Sequence, residues 1–335
     1  MKKIVSREIR LKARPVGIPK ESDFEMAEVT VPDLLENQLL VKNLYMSVDP
    51  YMRGRMNDLK SYVPPFQIGR VLEGGSVGEV LASNNDRFKP GDVVVSSLGW
   101  REYAVSDGDG LMKIAPGNVP VQAYLGTLGM PGLTAYCGLL EIGKPTENET
   151  VFVSAASGAV GSIVSQIAKI KGCSVIGSAG SDEKVSWLKD EAGVDEAFNY
   201  KTTGDLVETL GRLSPNGIDV YYENVGGLHL EAALAHMNTY GRLVMCGMIG
   251  QYNATTPPVG PRNLGYVVSK QLRMQGFIVM DYMDRMPKFH SDMSKWIAEG
   301  KIKWKETIVE GIENASAAFI GLFQGKNFGK MVVKL

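Results

Sequence analysis

The chain has 335 residues, of which 44% are hydrophobic and 22% charged, with a formal net charge of −1. This is an ordinary globular composition, long enough for two domains, with no basic field for nucleic acid or an anionic membrane. Residues 1–10 lack an apolar core of signal-peptide length, and no apolar run approaches the roughly 18 residues of a membrane span, so a cytoplasmic protein is expected. Cys137, Cys173 and Cys246 are far apart, each in an apolar segment, and read as buried reduced thiols, not as a disulfide framework or a zinc cluster.

The first 120 or so residues carry short β-like runs at 38–44, 69–80, 92–97 and 103–106, separated by Gly, Pro and Asn, as in an irregular β domain. Within them Gly74-Gly-Ser-Val-Gly78 matches the nucleophile-elbow pattern. It leads into more β-like sequence and not into a helix, which rejects a serine hydrolase. From Leu125 the texture changes. A helical stretch opens at Met130, and strands predicted at 151–156, 173–178, 196–199, 218–223, 241–247 and 273–280 alternate with helices, the pattern of a doubly wound parallel sheet. A helix at 286–299, a β run at 305–311, a helix at 314–325 and a strand at 329–335 follow. The final strand could extend the parallel sheet, but its shortness favours a return to the N-terminal domain. Residues 1–125 with 302–335 then form one domain and 126–301 the other.

The segment 151–162 is the richest in chemistry. An apolar strand meets a turn of small residues, and Val160, Ile163, Val164, Ile167 and Ala168 then mark one stripe of a helix stopped by Gly172. A pyrophosphate at such a helix start meets unpaired N–H groups and the positive end of the helix dipole. Gly158 and Gly161 stand at the second and third glycines of G-x-G-x-x-G, with Ala156 at the first. Alone, the match leaves a dinucleotide site and an ordinary glycine-rich turn both open.

Eight motifs in order carry a family resemblance: Ser47-Val-Asp-Pro-Tyr-Met-Arg53, Phe88-Lys-Pro-Gly-Asp-Val93, Gly129-Met-Pro-Gly-Leu-Thr-Ala-Tyr136, Ala155-Ala-Ser-Gly-Ala-Val-Gly-Ser162, Gly180-Ser-Asp-Glu-Lys184, Phe198-Asn-Tyr-Lys201, Glu223-Asn-Val-Gly-Gly227 and Asn327-Phe-Gly-Lys330. The chain resembles the medium-chain dehydrogenase/reductase superfamily in its zinc-independent prostaglandin reductase, leukotriene dehydrogenase and alkenal reductase branch. The resemblance implies an α/β protein with a GroES-like β domain and a Rossmann domain with a doubly wound parallel sheet. It also implies a homodimer. Zinc-dependent relatives need a Cys, a Gly-His-Glu segment and a lobe of four cysteines. Met46 and Gly69-Arg-Val71 stand near the first two here, and no cysteine cluster exists, so no metal is expected. His229 and His236, seven apart on a predicted helix, read as solvated or structural.

The end of the second strand, Ser178-Ala-Gly-Ser181, offers no carboxylate to a ribose hydroxyl and none to repel a 2′-phosphate, which suits NADPH. The resemblance assigns Lys184 and Tyr200 to that phosphate. It places Gly158, Ala159, Val160, Gly161 and Ser162 at the pyrophosphate turn and Thr134 at the nicotinamide end. Asn224, Cys246, Gly247, Met248, Ile249, Phe277, Ile278, Val279 and Asn327 would contact the rest of the cofactor, with plain core packing open for Cys246 and Phe277. Reduction of an α,β-unsaturated carbonyl sends hydride to the β-carbon and gathers charge on the carbonyl oxygen, so a neutral donor at that oxygen is the main requirement. Tyr252 matches the tyrosine this branch places beside the nicotinamide ribose, and a phenol with a reference pKa of about 10 is protonated at neutral pH. It is the expected catalytic residue, with enolate protonation by Tyr252 or water. Tyr51 either lines the substrate pocket or packs. The expected activity is therefore NADPH-dependent reduction of enone and enal double bonds; a quinone reductase and a non-catalytic NADPH-binding protein are the competing expectations.

Overall fold

The structure, a computed structural model, describes residues 3–335. The chain divides into two compact units, Met1–Leu125 with Glu306–Leu335, and Gly126–Lys305. It lays down β1 (Val5–Leu11), β2 (Phe24–Thr30), β3 (Leu39–Ser47), β4 (Ser76–Ser83), β5 (Val93–Ser96), β6 (Tyr103–Ser106) and β7 (Met112–Ile114) in the first unit. The second unit holds β8 (Thr150–Val153), β9 (Ser174–Ala179), β10 (Glu196–Asn199), β11 (Ile218–Glu223), β12 (Met237–Met245) and β13 (Arg273–Gly276). The chain then returns to the first with β14 (Glu306–Glu310) and β15 (Lys330–Lys334).

In the first unit, β1 and β2 pair antiparallel from Val5–Thr30 to Leu11–Phe24. The main sheet runs β14-β15-β3-β4-β5-β7, with β6 also on β3. The last strand thus rejoins the N-terminal sheet, antiparallel to β3 through Val332–Ser47 and Val333–Met46. The reason is packing: Val332 and Val333 are fully buried, and Val333 joins a core of Leu11, Met46, Met52, Trp100 and Phe319. The β run expected at 69–80 is a strand only from Ser76. Residues before it make isolated bridges, Arg10–Val71 and Gly74–Leu98, because Gly74 and Gly75 pass against Met52, Trp100 and Leu125 where a ladder has no room.

In the second unit six parallel strands run in the order β10-β9-β8-β11-β12-β13 among the described residues. The helices are α1 (Met52–Arg55) in the first unit, then α2 (Met130–Cys137), α3 (Gly161–Ile170), α4 (Asp182–Asp190), α5 (Leu206–Leu213), α6 (Leu228–His236), α7 (Gly265–Ser269) and α8 (Met286–Ala298) in the second, and α9 (Ala315–Phe323) back in the first. The apolar stripe Ile163, Val164, Ile167 and Ala168 of α3 is fully buried, each larger side chain adding about 1.5–3 kcal/mol of burial. On the sheet, Phe152 stacks on Tyr221 with ring centroids 4.9 Å apart and on Phe198 at 6.2 Å.

The first and the last of the expected parallel strands end early. The first parallel strand ends at Val153, not 156, because Ala155 turns to φ +49° and Ala156 N–H bonds Ser178 O at 2.8 Å across the turn. The last ends at Gly276, not 280, so Phe277, Ile278 and Val279 lie beyond the sheet, where a 3-10 helix begins at Val279.

Candidate active site

Strand order reverses between β8 and β11, and the loops after their carboxyl ends diverge there, the usual place for a ligand in such a sheet. On one side is the turn between β8 and α3. A side chain at Gly161 would bring Cβ to 2.4 Å from Ala155 O and 2.9 Å from Ala156 Cα, so only glycine lets α3 start this close to the strand. Ala156, in the place of the first glycine, is fully buried, and a Cβ at Gly177 of β9 would stand 2.9 Å from its methyl. The methyl gained at 156 is matched by one missing at 177. Gly158, Ala159 and Val160 form the turn itself, and Ser162 N–H closes onto Gly158 O at 3.0 Å.

At the end of β9, Ser181 caps α4 and its hydroxyl accepts from Lys184 N–H at 3.4 Å. Lys184 therefore sits in the first turn, where the helix dipole disfavours a cation and an anion would offset it. Burial and then the charge of Lys201 hold the Lys184 ammonium below its ordinary value. A Cβ on Gly180 would stand 3.2 Å from Tyr200 Oη and 3.5 Å from Lys201 Cε, so both side chains lean over this point. Asp182 is turned aside, accepting from Asn199 Nδ2 at 2.8 Å. The Tyr200 ring meets buried His229 edge-on at 5.1 Å, and burial pushes that imidazole down to about 4, so it is neutral. His236 instead bonds Val207 O at 2.7 Å, so the two histidines do not act as a pair.

At the β11 and β12 ends, Asn224 donates from Nδ2 to Ser154 O at 2.7 Å and from its backbone to Ser154 Oγ at 2.9 Å. Ile249 N–H returns to Asn224 O at 3.0 Å, and Cys246 and Gly247 N–H reach Glu223 O at 3.1 Å. Tyr252 folds back over this segment, its Oη accepting from Met248 N–H at 3.2 Å. Tyr222 Oη donates to Thr134 O at 2.8 Å and interacts with the Cys246 thiol, linking α2 to the end of β12. Burial pushes that thiol up to about 12, although the residue as a whole is only half-buried. The place of a Cβ on Gly138 is flanked by Tyr222 Oη and the Phe277 ring, which brings Phe277 to the same corner. Thr134 itself turns its hydroxyl to Met130 O at 2.8 Å.

Two groups of expected residues are thus drawn together: Asn224, Cys246, Gly247, Met248, Ile249 and Tyr252 in one, Lys184 and Tyr200 in the other. Tyr51 and Asn327 belong to the first unit. Tyr51 is 37% exposed just before α1, and Asn327 Nδ2 donates to Gly329 O at 3.0 Å. Lys201 had no assigned role in the sequence; its signal was its place beside Tyr200. Glu223 was likewise passed over, though a carboxyl closing an apolar strand is itself unusual.

Residues 7–114 match the family model for the N-terminal domain of oxidoreductase, and 159–298 that for zinc-binding dehydrogenase. Among the described residues, however, no group of three or more His, Cys, Asp or Glu side chains is placed to hold a metal ion. The 2-alkenal reductase (NADP(+)-dependent) of Nicotiana tabacum is 47% identical over 335 residues, 98% of this chain and 97% of that protein. Prostaglandin reductase 1 of Rattus norvegicus is 46% identical over 329 residues, 97% of each. The crystal structure of CurA in complex with NADPH from Vibrio vulnificus is 46% identical, with a TM-score of 0.94 and 98% of both chains covered. A GroES-like β unit with a Rossmann unit and this turn define a medium-chain dehydrogenase/reductase. Within that superfamily the chain belongs to the zinc-independent branch of prostaglandin reductases, leukotriene dehydrogenases and alkenal reductases.

Proposed function

We propose that this chain is an NADPH-dependent reductase of the carbon–carbon double bond of α,β-unsaturated aldehydes and ketones. The relatives' names support the reaction class, and the residues around Gly180 support the cofactor. Two lysines and a phenol gathered near Gly180, with Asp182 turned to Asn199, are a donor set for a 2′-phosphate. Lys184, Tyr200 and Lys201 would hold that group, the Gly158–Ser162 turn the pyrophosphate, and Asn224 with Cys246–Ile249 the nicotinamide half. Thr134 and Phe277–Val279 belong to the same half. When bound, NADPH supplies the hydride.

The observation that carries the chemistry is the seat of Tyr252. Its oxygen accepts the Met248 N–H, which occupies a lone pair and not the phenol proton. We assign the proton at Oη to a carbonyl oxygen gathering charge, and a backbone N–H on the phenol oxygen favours that donation. The Tyr252 loop is fixed through Ile249 N–H to Asn224 O and Gly250 N–H to Val225 O, both at 3.0 Å, so the donor is held before substrate arrives. Tyr51 in the substrate pocket and Asn327 at the cofactor rest on the family resemblance alone, and Tyr51→Phe and Asn327→Ala test them one at a time.

We assign Gly126–Lys305 to the cofactor and the donor Tyr252, and the first unit, Met1–Leu125 with Glu306–Leu335, to the substrate side of catalysis. Among the described residues no helix is long and apolar enough to cross a membrane. A cytoplasmic homodimer is part of the proposal, checked by cell fractionation and by light scattering on the purified protein. The activity itself is tested by following NADPH consumption with 2-alkenals, enones and quinones, and with NADH in its place. Turnover of quinones alone would leave the quinone reductase reading; no turnover with tight NADPH binding would leave a non-catalytic binder.

A further inference from the structure

We infer that Glu223 is a positioning residue, whose buried carboxyl ties the Asn224–Gly227 loop to the Ser154 turn and so sets the backbone against which the cofactor lies. The inference rests on the NADPH assignment above.

Glu223 ends β11 and is fully buried. Its Oε1 accepts from Tyr221 Oη at 2.7 Å, Val225 N–H at 2.7 Å, Gly226 N–H at 2.9 Å and Ser154 Oγ at 3.1 Å. Its main-chain oxygen accepts from Cys246 and Gly247. One residue therefore joins the ends of β8, β11 and β12. The loop needs such a tie: Gly226 at φ +79° and Gly227 at φ +56° adopt conformations open to glycine, whose freedom makes an untied segment mobile. A packing role would be met by an apolar side chain, since burying a carboxyl is costly unless its bonds are made. Oε2 is sealed from solvent and has no partner among the described residues, so every bond the side chain makes falls on the oxygen that faces the loop. Burial raises the carboxyl pKa against the pull of the Gly226 and Val225 amides and of the Tyr221 and Ser154 hydroxyls. An amide oxygen can therefore replace Oε1, whereas a hydrocarbon cannot.

The test compares Glu223→Gln and Glu223→Leu with the wild type by NADPH fluorescence titration, by steady-state kinetics and by hydrogen exchange of the 223–227 peptide without cofactor. Glu223→Leu should raise the NADPH Kd and KM about tenfold or more, with a smaller change in kcat, and speed exchange in that peptide. Glu223→Gln should stay within about threefold of wild type on each. Wild-type affinity and exchange in Glu223→Leu, or equal damage from Gln and Leu, would overturn the inference. If Glu223→Leu does not fold, Ser154→Ala, which removes one donor to Oε1 and the acceptor for Asn224 N–H, should raise Kd a few-fold, and an unchanged Kd would overturn it. A wild-type chain that binds no NADPH while the exchange difference persists would sink the cofactor assignment and leave the loop-tying role in place.

Discussion

The hydroxyl of Tyr252 accepts the backbone N–H of Met248 at 3.2 Å, four residues back in the same loop. Its own proton is therefore directed away from that bond. Tyr252→Phe should lower kcat for alkenal reduction about 10- to 1000-fold, the usual cost of one oxyanion donor, while NADPH Kd changes much less. Stopped-flow measurement of the reduction step, with Kd from titration, checks both. An unchanged kcat would remove Tyr252 from the chemistry.

Lys201 leans over Gly180, and its charge adds to burial in holding the Lys184 ammonium below its ordinary value. A bound phosphate relieves that repulsion. Lys184→Ala and Lys201→Ala should each weaken NADPH binding about 10-fold, leave NADH binding within about twofold, and reduce the salt dependence of NADPH affinity. Calorimetry with both dinucleotides decides; equal losses for NADPH and NADH would move these lysines off the 2′-phosphate.

Gly161→Ala would drive a methyl into Ala155 O and Ala156 Cα. Both are backbone atoms that cannot swing away. The variant should lose about 1–3 kcal/mol of stability and with it NADPH binding, measured as a lower Tm and a smaller NADPH-induced shift in Tm. Gly193→Ala, where nothing lies within 4 Å but φ is +69°, provides a control that strains the backbone alone.

Arg242 grips Glu149 with two bonds, at 2.9 and 2.5 Å, joining β12 to the start of β8. Burial pushes the Glu149 carboxyl up, but the Arg242 and Thr146 bonds outweigh it and hold it below its ordinary value. A lowered folded-state pKa means that the stabilisation is full above the unfolded pKa, about 4.3, and is lost as pH falls through the folded value. Arg242→Met should therefore cost about 2 kcal/mol at pH 7, with the gap to wild type closing below about pH 4 in urea titrations. A gap constant with pH would place the effect in packing instead.

Much of this architecture was legible because strands such as β8 are apolar and α3 carries one apolar stripe, and β10 and β11 fall where the pattern puts them. Where reading failed, tertiary contacts decided. Strand β12 starts at Met237 and not 241, since Asn238, Thr239 and Tyr240 break the apolar run, and Tyr240 sits at φ +66° while Met237 pairs with Ile218. The β1–β2 pair was missed because β2 alternates weakly and is mostly exposed. In the site, Tyr252 and Lys184 could be read from motifs. Lys201 and Glu223 could not, because their significance lies in partners from other strands: Gly180 and Lys184 for one, Ser154 and the main chain after β12 for the other.

The most direct measurement is product analysis after turnover of a 2-alkenal with NADPH carrying deuterium at nicotinamide C4. A saturated aldehyde labelled at its β-carbon is expected. An allylic alcohol labelled at the former carbonyl carbon would show that hydride goes to the carbonyl, and the assignment to double-bond reduction would be wrong.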